Sequence, residues 1–294
     1  MLCSSCDDNF SPKGDYQQRL VVYSVLSNRS DTQFVRVYTT YNLTGFDPAE
    51  HTTDTDVRGA SVTMTDDSTS YHLKQTIIPR YDTSRYSTNP VAYFAFPCPL
   101  RPGKQYSLAI TSDQGNATAK VSAPTHGNIY CSYPLSFKAP DTDPEPIVAS
   151  IELSPITQAY LVRLYLDVYF GPNLARKRLE VPTGTAPTGF QQAQFTYPTL
   201  ERRTSQSLLN AFFPRDIYVA FLKGLASQYE SFQIISATFI LTQVETNLYK
   251  YYKIANGFQD PYSIREDQPD FTNIVGGVGV FGAMVEDSVV VDLR

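Results

Sequence analysis

The chain has 294 residues, a formal net charge of −5 and 42% hydrophobic residues, enough for one large or two ordinary domains with packed cores. Its acidic balance disfavours nucleic acid as a partner, because a phosphate backbone would be repelled. No apolar run approaches the roughly 18 residues of a transmembrane helix. With 21 Tyr, 17 Phe, no Trp and 3 Met, the composition favours β-strands.

The first eight residues, MLCSSCDD, place a cysteine after two small residues and before two acids. This arrangement resembles the lipidation site of a bacterial lipoprotein, in which Cys6 would become the first mature residue and carry acyl chains. Such a site follows an apolar run of about 7–15 residues, so we expect the leader to begin upstream of Met1. Residues 1–19 are then a leader remnant and a polar tether. The alternative is an ordinary terminus with two incidental cysteines.

Residues 20–138 are predicted to form a β-sandwich of the immunoglobulin or fibronectin III type. Short β-branched and aromatic segments recur about every ten residues, with turn residues between them. Segment 100–108 (LRPGKQYSL) resembles the L-x-P-G-x-x-Y-x-L stretch of such sandwiches. It places Tyr106 where these folds have a tyrosine corner, whose hydroxyl bonds to upstream backbone. We therefore predict a structural role for Tyr106.

Residues 139–146 (APDTDPEP) are predicted to be a linker, because three prolines each remove a backbone donor and disfavour helix before them. Residues 147–294 would then form a second, β-rich domain. Segment 216–227 fits helix and strand equally. One helix is clear: Thr242–Glu245 has the pattern of a capping box, apolar residues follow at helical spacing, and Gly257 can end the helix.

The C-terminal region contains a literal G-x-G-x-x-G at Gly277, Gly279 and Gly282, preceded by Gly276. A dinucleotide-binding fingerprint must follow a strand, open a helix and lie in a βαβ unit. Here a strand is predicted to follow instead. We expect these four glycines to be structural, permitting positive φ and close backbone approach.

The cysteines outside the leader are Cys98 and Cys131. In an oxidising compartment they can form a disulfide, which would stabilise the fold by about 3–4 kcal/mol; the alternative is two free thiols. Their spacing and the three histidines match no zinc-ligand pattern, so no metal site is predicted. No cofactor is predicted either.

No catalytic motif is recognisable in the sequence, which contains no G-x-S-x-G, H-E-x-x-H or phosphate-binding G-K-[ST]. A glycoside hydrolase needs two carboxyl groups at a defined separation across a cleft. Two neighbouring pairs, Asp54 with Asp56 and Asp66 with Asp67, could be considered, but solvated turns are the default interpretation of both. The histidines at 51, 72 and 126 lie in loop-like surroundings and are interpreted as surface residues. We therefore expect a protein that is not an enzyme.

The C-terminal block supports a family resemblance. Segment 272–282 (TNIVGGVGVFG), preceded by the tyrosine-rich segment 248–255 (LYKYYKIA), is similar to the closing signature of a Bacteroidota lipoprotein family, domain of unknown function 4249. The resemblance implies an outer-membrane lipoprotein, anchored through Cys6 and often encoded beside a TonB-dependent receptor that imports nutrients. The family has no assigned activity. Asp7-Asp8 also resembles the signal that exports such lipoproteins to the outer membrane.

Two functions of different classes follow. The first is a non-catalytic envelope lipoprotein that binds a TonB-dependent receptor or an extracellular ligand through its loops or a tyrosine-rich face. The second is a surface glycan hydrolase whose carboxylates the fold brings together. A cleft with two facing acids, one with a raised pKa, would favour the hydrolase. A shallow surface with clustered exposed aromatic residues would favour the binding protein.

Overall fold

The computed structural model describes residues 16–42, 51–84, 86, 88–171, 175–186, 194–256 and 271–294. In the N-terminal half of this described part the strands are β1 (Leu20–Ser27), β2 (Gln33–Thr39), β3 (Ser61–Thr65), β4 (Ser70–Ile77), β5 (Val91–Ala95), β6 (Gln105–Ser112), β7 (Gly115–Ser122) and β8 (Asn128–Cys131). A 3₁₀ helix, Pro134–Lys138, follows β8.

The C-terminal half carries longer strands and two α-helices within the described residues. The strands are β9 (Ile147–Glu152), β10 (Thr157–Phe170), β11 (Ala175–Glu180), β12 (Gly184–Ala186), β13 (Gln194–Thr196), β14 (Glu201–Arg202), β15 (Leu208–Phe213), β16 (Phe232–Glu245), β17 (Ile274–Val275) and β18 (Gly277–Asp292). The helices are α1 (Arg215–Gln228) and α2 (Thr246–Asn256). Neither has the length and apolar character needed to cross a bilayer. The predicted mainly-β fold with a C-terminal helix is confirmed, and α1 decides the ambiguous segment 216–227.

Thirteen strands join into one sheet. Its order is β11-β10-β16-β18-β1-β2-β5-β4-β3-β6-β7-β17, with β14 also paired to β10. The short strand β17, which pairs with β7, leads directly into β18. The strands that lie between β18 and β17 in this order therefore close into a sandwich. A separate three-stranded sheet, β15-β9-β8, packs on the C-terminal half.

The last strand belongs to both halves of the molecule. The first part of β18 runs parallel to β1, from Gly277 beside Leu20 to Met284 beside Ser27. Its second part runs antiparallel to β16. Phe281 is buried in the same core cluster as Leu20, although the two residues lie at opposite ends of the sequence. β18 therefore crosses the predicted boundary between consecutive domains, 20–138 and 147–294, since this C-terminal strand contributes to the N-terminal core.

Two main core clusters correspond to the two halves, and the burial of each strand follows from its position. Residues of β1 alternate between buried and half-buried, as expected for a strand with one face on the core. By contrast, β10 is buried along most of its length. One of its faces meets the three-stranded sheet, while Ala159 near its start packs in a third cluster with Leu248 of α2. Beyond Ala159 the second face is mostly half-buried and carries Arg163, so only the start of β10 is covered on both faces.

Helix α2 begins after the predicted capping box rather than within it. Thr242 lies in β16, opposite Glu286 of β18, and its hydroxyl donates to that carboxylate. The helix is capped instead by Glu245, which accepts hydrogen bonds from the amides of Asn247 at 2.6 Å and Leu248 at 2.7 Å. The prediction of Thr242 as the cap was wrong, because strand pairing with β18 extends three residues further than the local pattern suggested. Gly257, the predicted helix stop, lies outside the described residues.

Candidate functional site

The predicted lipidation residue Cys6 lies outside the described residues. The predicted disulfide does not form: Cys98 and Cys131 are both free thiols. Cys98 is buried in the N-terminal core cluster, whereas Cys131 packs against the C-terminal one, so each thiol is surrounded by a different core. Burial raises the pKa of Cys98 to about 11, with a further contribution from the nearby Asp66 carboxylate. Burial also raises the pKa of Cys131.

Tyr106 makes the contact expected of a tyrosine corner. Its hydroxyl accepts a hydrogen bond from the backbone amide of Arg101 at 2.8 Å, and its ring is buried. Burial is also the main cause of its raised pKa. This side chain holds the turn before β6 and is not available to a ligand.

The four predicted glycines lie at the junction where the sandwich closes. Gly276 and Gly279 have φ of +82° and +116°, which side chains other than glycine rarely adopt. A Cβ on Gly277 would stand 2.6 Å from the carbonyl oxygen of Leu20, and one on Gly282 would stand 2.8 Å from Cβ of Leu248. The G-x-G-x-x-G sequence lies inside β18 and opens no helix, so its glycines allow close approach of protein backbone and of α2.

The carboxylates considered for hydrolysis are held by local contacts. Asp54 pairs with Arg80 at 2.6 Å, and Asp56 pairs with Arg58 at 3.1 Å. Asp66 accepts the amides of Ser68 and Thr69 within its own turn. These hydrogen bonds, together with Arg101, outweigh the opposing effect of its burial, so its pKa is lowered. Asp67 pairs with Lys104 at 2.9 Å. All four carboxylates are thus engaged by local contacts, which gives no support to either pair as the two carboxyl groups of a glycosidase.

Each histidine has a neighbour that accounts for its position. The ring of His51 stacks on Tyr41 with centroids 3.9 Å apart, and His72 contacts the hydroxyl of Thr63. His126 lies 2.5 Å from Asp287, which also accepts the amide of Gly127. Among the described residues no cluster of His, Cys, Asp or Glu has metal-ligating geometry.

A partly apolar surface lies on the three-stranded sheet. Inward residues such as Ile147, Ile151 and Phe213 are buried, so alternate residues of the same strands point outward. Three large outward side chains, Leu208, Phe212 and Tyr130, are 64%, 57% and 52% exposed. We name the outward residues of β8, β9 and β15 the sheet face; they are Asn128, Tyr130, Val148, Ser150, Glu152, Leu208, Asn210 and Phe212.

Hydrogen bonds along the sheet face order its polar centre. The hydroxyl of Ser150 donates to Asn210 at 2.8 Å, and Asn128 donates to Glu152 at 2.9 Å. The outer edge of β15 has no strand neighbour within the described part of the chain. The sheet face therefore offers apolar side chains and an open strand edge together, a combination typical of surfaces that bind other proteins.

A cavity of about 610 Å³ adjoins the sheet face and shares Phe212 with it. We name it the α1 cavity, because Pro214, Arg215 and Asp216 at the start of α1 line one wall. Residues 141–144 and 146 form the other wall. The predicted linker is thus packed against α1: Arg215 donates to the carbonyl oxygen of Glu145 at 3.2 Å, and Lys223 pairs with Asp141 at 3.3 Å.

Sequence reasoning missed the principal residues of this region. The short apolar run LLNAFF (208–213) is consistent with a strand, whose two-residue period would have placed Leu208 and Phe212 on one face, but no strand was predicted there. Arg215 carries no such signal, since a single arginine after a proline is common on surfaces. The proline- and acid-rich sequence of the predicted linker carries no packing signal, and only the fold shows that its residues line a cavity.

The described part of the chain is thus a mainly-β protein that carries an exposed, partly apolar sheet face and an adjoining cavity. Residues 7–289 match the family described as domain of unknown function (DUF4249). The match covers nearly the whole chain, which therefore belongs to this family. A comparison with curated proteins finds no match.

Proposed function

We propose that the chain is a non-catalytic lipoprotein of the bacterial outer membrane that holds a partner protein, a TonB-dependent receptor of a nutrient-uptake system. The observation that carries the binding role is the sheet face, where three large apolar side chains are each more than half exposed. Exposed apolar residues beside an open strand edge are unfavourable in water unless a partner covers them.

Charge indicates the chemistry of the partner surface. Glu152 lies on the sheet face, while Asp141, Asp143 and Asp216 line the adjoining cavity. The chain as a whole carries a net charge of −5. A partner surface that combines apolar groups with lysine or arginine side chains complements this arrangement.

The lipoprotein part of the proposal rests on Cys6 and on the family resemblance. Produced with a complete signal peptide, the protein is expected to incorporate labelled palmitate and to partition into detergent. Cys6→Ala is expected to abolish both, because firm anchoring needs acyl chains that this residue would carry. Cys3→Ser is the matched control and should leave labelling unchanged. Equal labelling of the Cys6→Ala variant would overturn the anchor.

The partner is tested by affinity capture from envelope membranes with the lipid-anchored protein as bait. Mass spectrometry should recover a TonB-dependent receptor. Leu208→Lys and Phe212→Lys should each reduce this recovery at least about tenfold, because each places a charge in the apolar contact. Val290→Lys alters an equally exposed strand residue outside the sheet face and serves as the control. Receptor recovery that both sheet-face substitutions leave unchanged would contradict the proposed site.

The alternative function, a glycan hydrolase, gains no support from the four carboxylates that suggested it. Each is engaged by a basic residue or by backbone amides of its own turn. Glu245 is the one carboxyl group with a raised pKa among those described, and burial is the main cause. Its two oxygens cap α2, so its environment is explained by helix capping.

A further inference from the structure

Backbone hydrogen bonds determine which groups β15 directs to its free edge. The amide of Leu153 donates to the carbonyl oxygen of Ser207 at 3.0 Å, which sets the phase of the antiparallel ladder between β9 and β15. In this ladder alternate residues bond to the neighbouring strand, and the residues between them direct their amide and carbonyl groups away from it. The β15 residues whose backbone groups point away from β9 are Leu208, Asn210 and Phe212.

The other side of β9 shows the same phase. Val148 lies opposite Phe212, and its carbonyl oxygen accepts the amide of Ser132, next to β8, at 3.1 Å. Phe212 therefore has no backbone bond to β9. Within the described part of the chain no strand pairs with the outer edge of β15, so the amide and carbonyl groups directed there have no backbone partner. Such an edge is a template on which a further strand can form.

The edge strands β11 and β15 differ in how they are protected. At the end of the large sheet, β11 carries three successive basic residues (176–178), and charges on an edge strand discourage further pairing. By contrast, β15 (LLNAFF) contains no charged residue and no proline. Two of its edge residues, Leu208 and Phe212, also carry exposed apolar side chains of the sheet face. The edge of β15 is thus suited to accept a strand, whereas that of β11 is not.

Charge selects between two occupants of this edge. Glu152 lies opposite Leu208, and Asp143 and Asp216 line the cavity beside Phe212. Two copies of this chain paired antiparallel through β15 would place the Leu208 end of one beside the Phe212 end of the other, so that carboxylates would face carboxylates. An extended segment with lysine or arginine near both ends complements these acids instead.

We propose that the partner protein binds by adding an extended segment to β15 as an antiparallel strand. The segment directs apolar side chains onto the sheet face beside Leu208 and Phe212, and it carries a basic residue near each end. Its alternate amides and carbonyl groups bond to those that β15 directs outward, which continues the antiparallel pattern of β8, β9 and β15. This inference rests on the proposed receptor binding and specifies how the receptor is held.

Two substitutions at Asn210 test strand addition in the receptor capture described above. Asn210→Pro removes the outward amide and places a ring in the path of the added strand, but it spares the bonds to β9 and is compatible with an edge strand. Asn210→Ala removes the same side chain and keeps the amide. Receptor recovery by Asn210→Pro should be at least about tenfold lower than recovery by Asn210→Ala. Equal recovery by the two folded variants would rule out strand addition.

A synthetic peptide provides a second measurement on the unaltered full chain. The probe alternates valines and threonines between terminal lysines, and its affinity is measured by isothermal titration. With the valine side chains on the sheet face, the valine amides of an antiparallel strand face β15 and the threonine amides face solvent. N-methylation of the valines should therefore weaken binding at least about tenfold relative to N-methylation of the threonines. Equal affinities of the two methylated peptides, or no binding of the parent peptide at millimolar concentration, would overturn the proposal.

The variants also distinguish this inference from the proposed function. If Leu208→Lys reduces receptor capture while Asn210→Pro is captured as well as Asn210→Ala, the sheet face is the site but strand addition is wrong. Capture that neither Leu208→Lys nor Asn210→Pro reduces would contradict the receptor site itself. A dimer of the full chain in size-exclusion chromatography that Asn210→Pro converts to a monomer would identify a second copy as the occupant and overturn the assignment to the partner.

Discussion

At the scale of single residues, Gly279, like Gly276, combines a positive φ with close approach of neighbouring backbone. Its φ is +116°, and an added Cβ would overlap the carbonyl oxygen of Val22 on the neighbouring strand. Gly59 has φ of +75° with open space around it, while Gly224 lies inside α1 with ordinary φ and open space. These three positions allow backbone strain to be separated from steric overlap.

The resulting prediction compares three alanine substitutions by chemical denaturation. Gly279→Ala should lower the free energy of unfolding by about 3 kcal/mol or more, because strain and overlap add. Gly59→Ala should cost about 1 kcal/mol from strain alone. Gly224→Ala should raise stability by up to about 1 kcal/mol, since alanine is the better helix former. A Gly279→Ala variant as stable as Gly59→Ala would show that β1 can move away from β18.

At the scale of elements, Glu245 determines how α2 begins. Its carboxylate is buried and accepts two backbone amides. Burial is the largest influence on its pKa, which is raised above the ordinary value of 4.5 despite the opposing hydrogen bonds. The folded state therefore binds this proton more tightly than the unfolded state does. Its contribution to stability is fully present below pH 4.5 and decreases as pH rises through the folded-state pKa.

A pH series of unfolding free energies tests this assignment. Glu245→Gln has no group that ionises at this position, so the stability of the wild type relative to this variant should decrease as pH rises from 4.5. At pH 7, Glu245→Ala should lose about 1–2 kcal/mol, as for other lost helix caps, whereas Thr242→Ala should leave the cap intact. A constant difference between wild type and Glu245→Gln across the series would contradict the raised pKa.

The elements also show what the sequence alone allows one to predict. Most strands follow from alternating or continuous apolar runs, because one or both faces of each strand are buried. β4 was missed since its only fully buried residue is Leu73, which leaves no alternation to detect. The Tyr106 corner has a local motif and was found. The α1 cavity depends on the predicted linker packing on α1, a long-range contact that leaves no local pattern.

At the scale of the whole molecule, β18 pairs with strands of both halves, so we predict that the two halves form one folding unit. It contributes buried residues such as Phe281 and Val285 to the N-terminal core, while its other end pairs with β16. Without β18, residues 20–138 lose an entire neighbouring strand and several core side chains. Each large core side chain removed typically costs about 2–5 kcal/mol, which together exceeds the usual stability of a domain.

Cleavage within the linker tests this directly. A protease site inserted between Thr142 and Asp143 should be cut in the native protein, and the two fragments should still elute together in size-exclusion chromatography. Dissociation should require denaturant, because β18 must leave both β1 and β16. Residues 20–138 expressed alone should lack cooperative unfolding. Two outcomes would contradict this prediction: separation of the fragments under native conditions, or a sharp unfolding transition of the isolated 20–138 fragment. Either would show two independent domains that fold without shared pairing through β18.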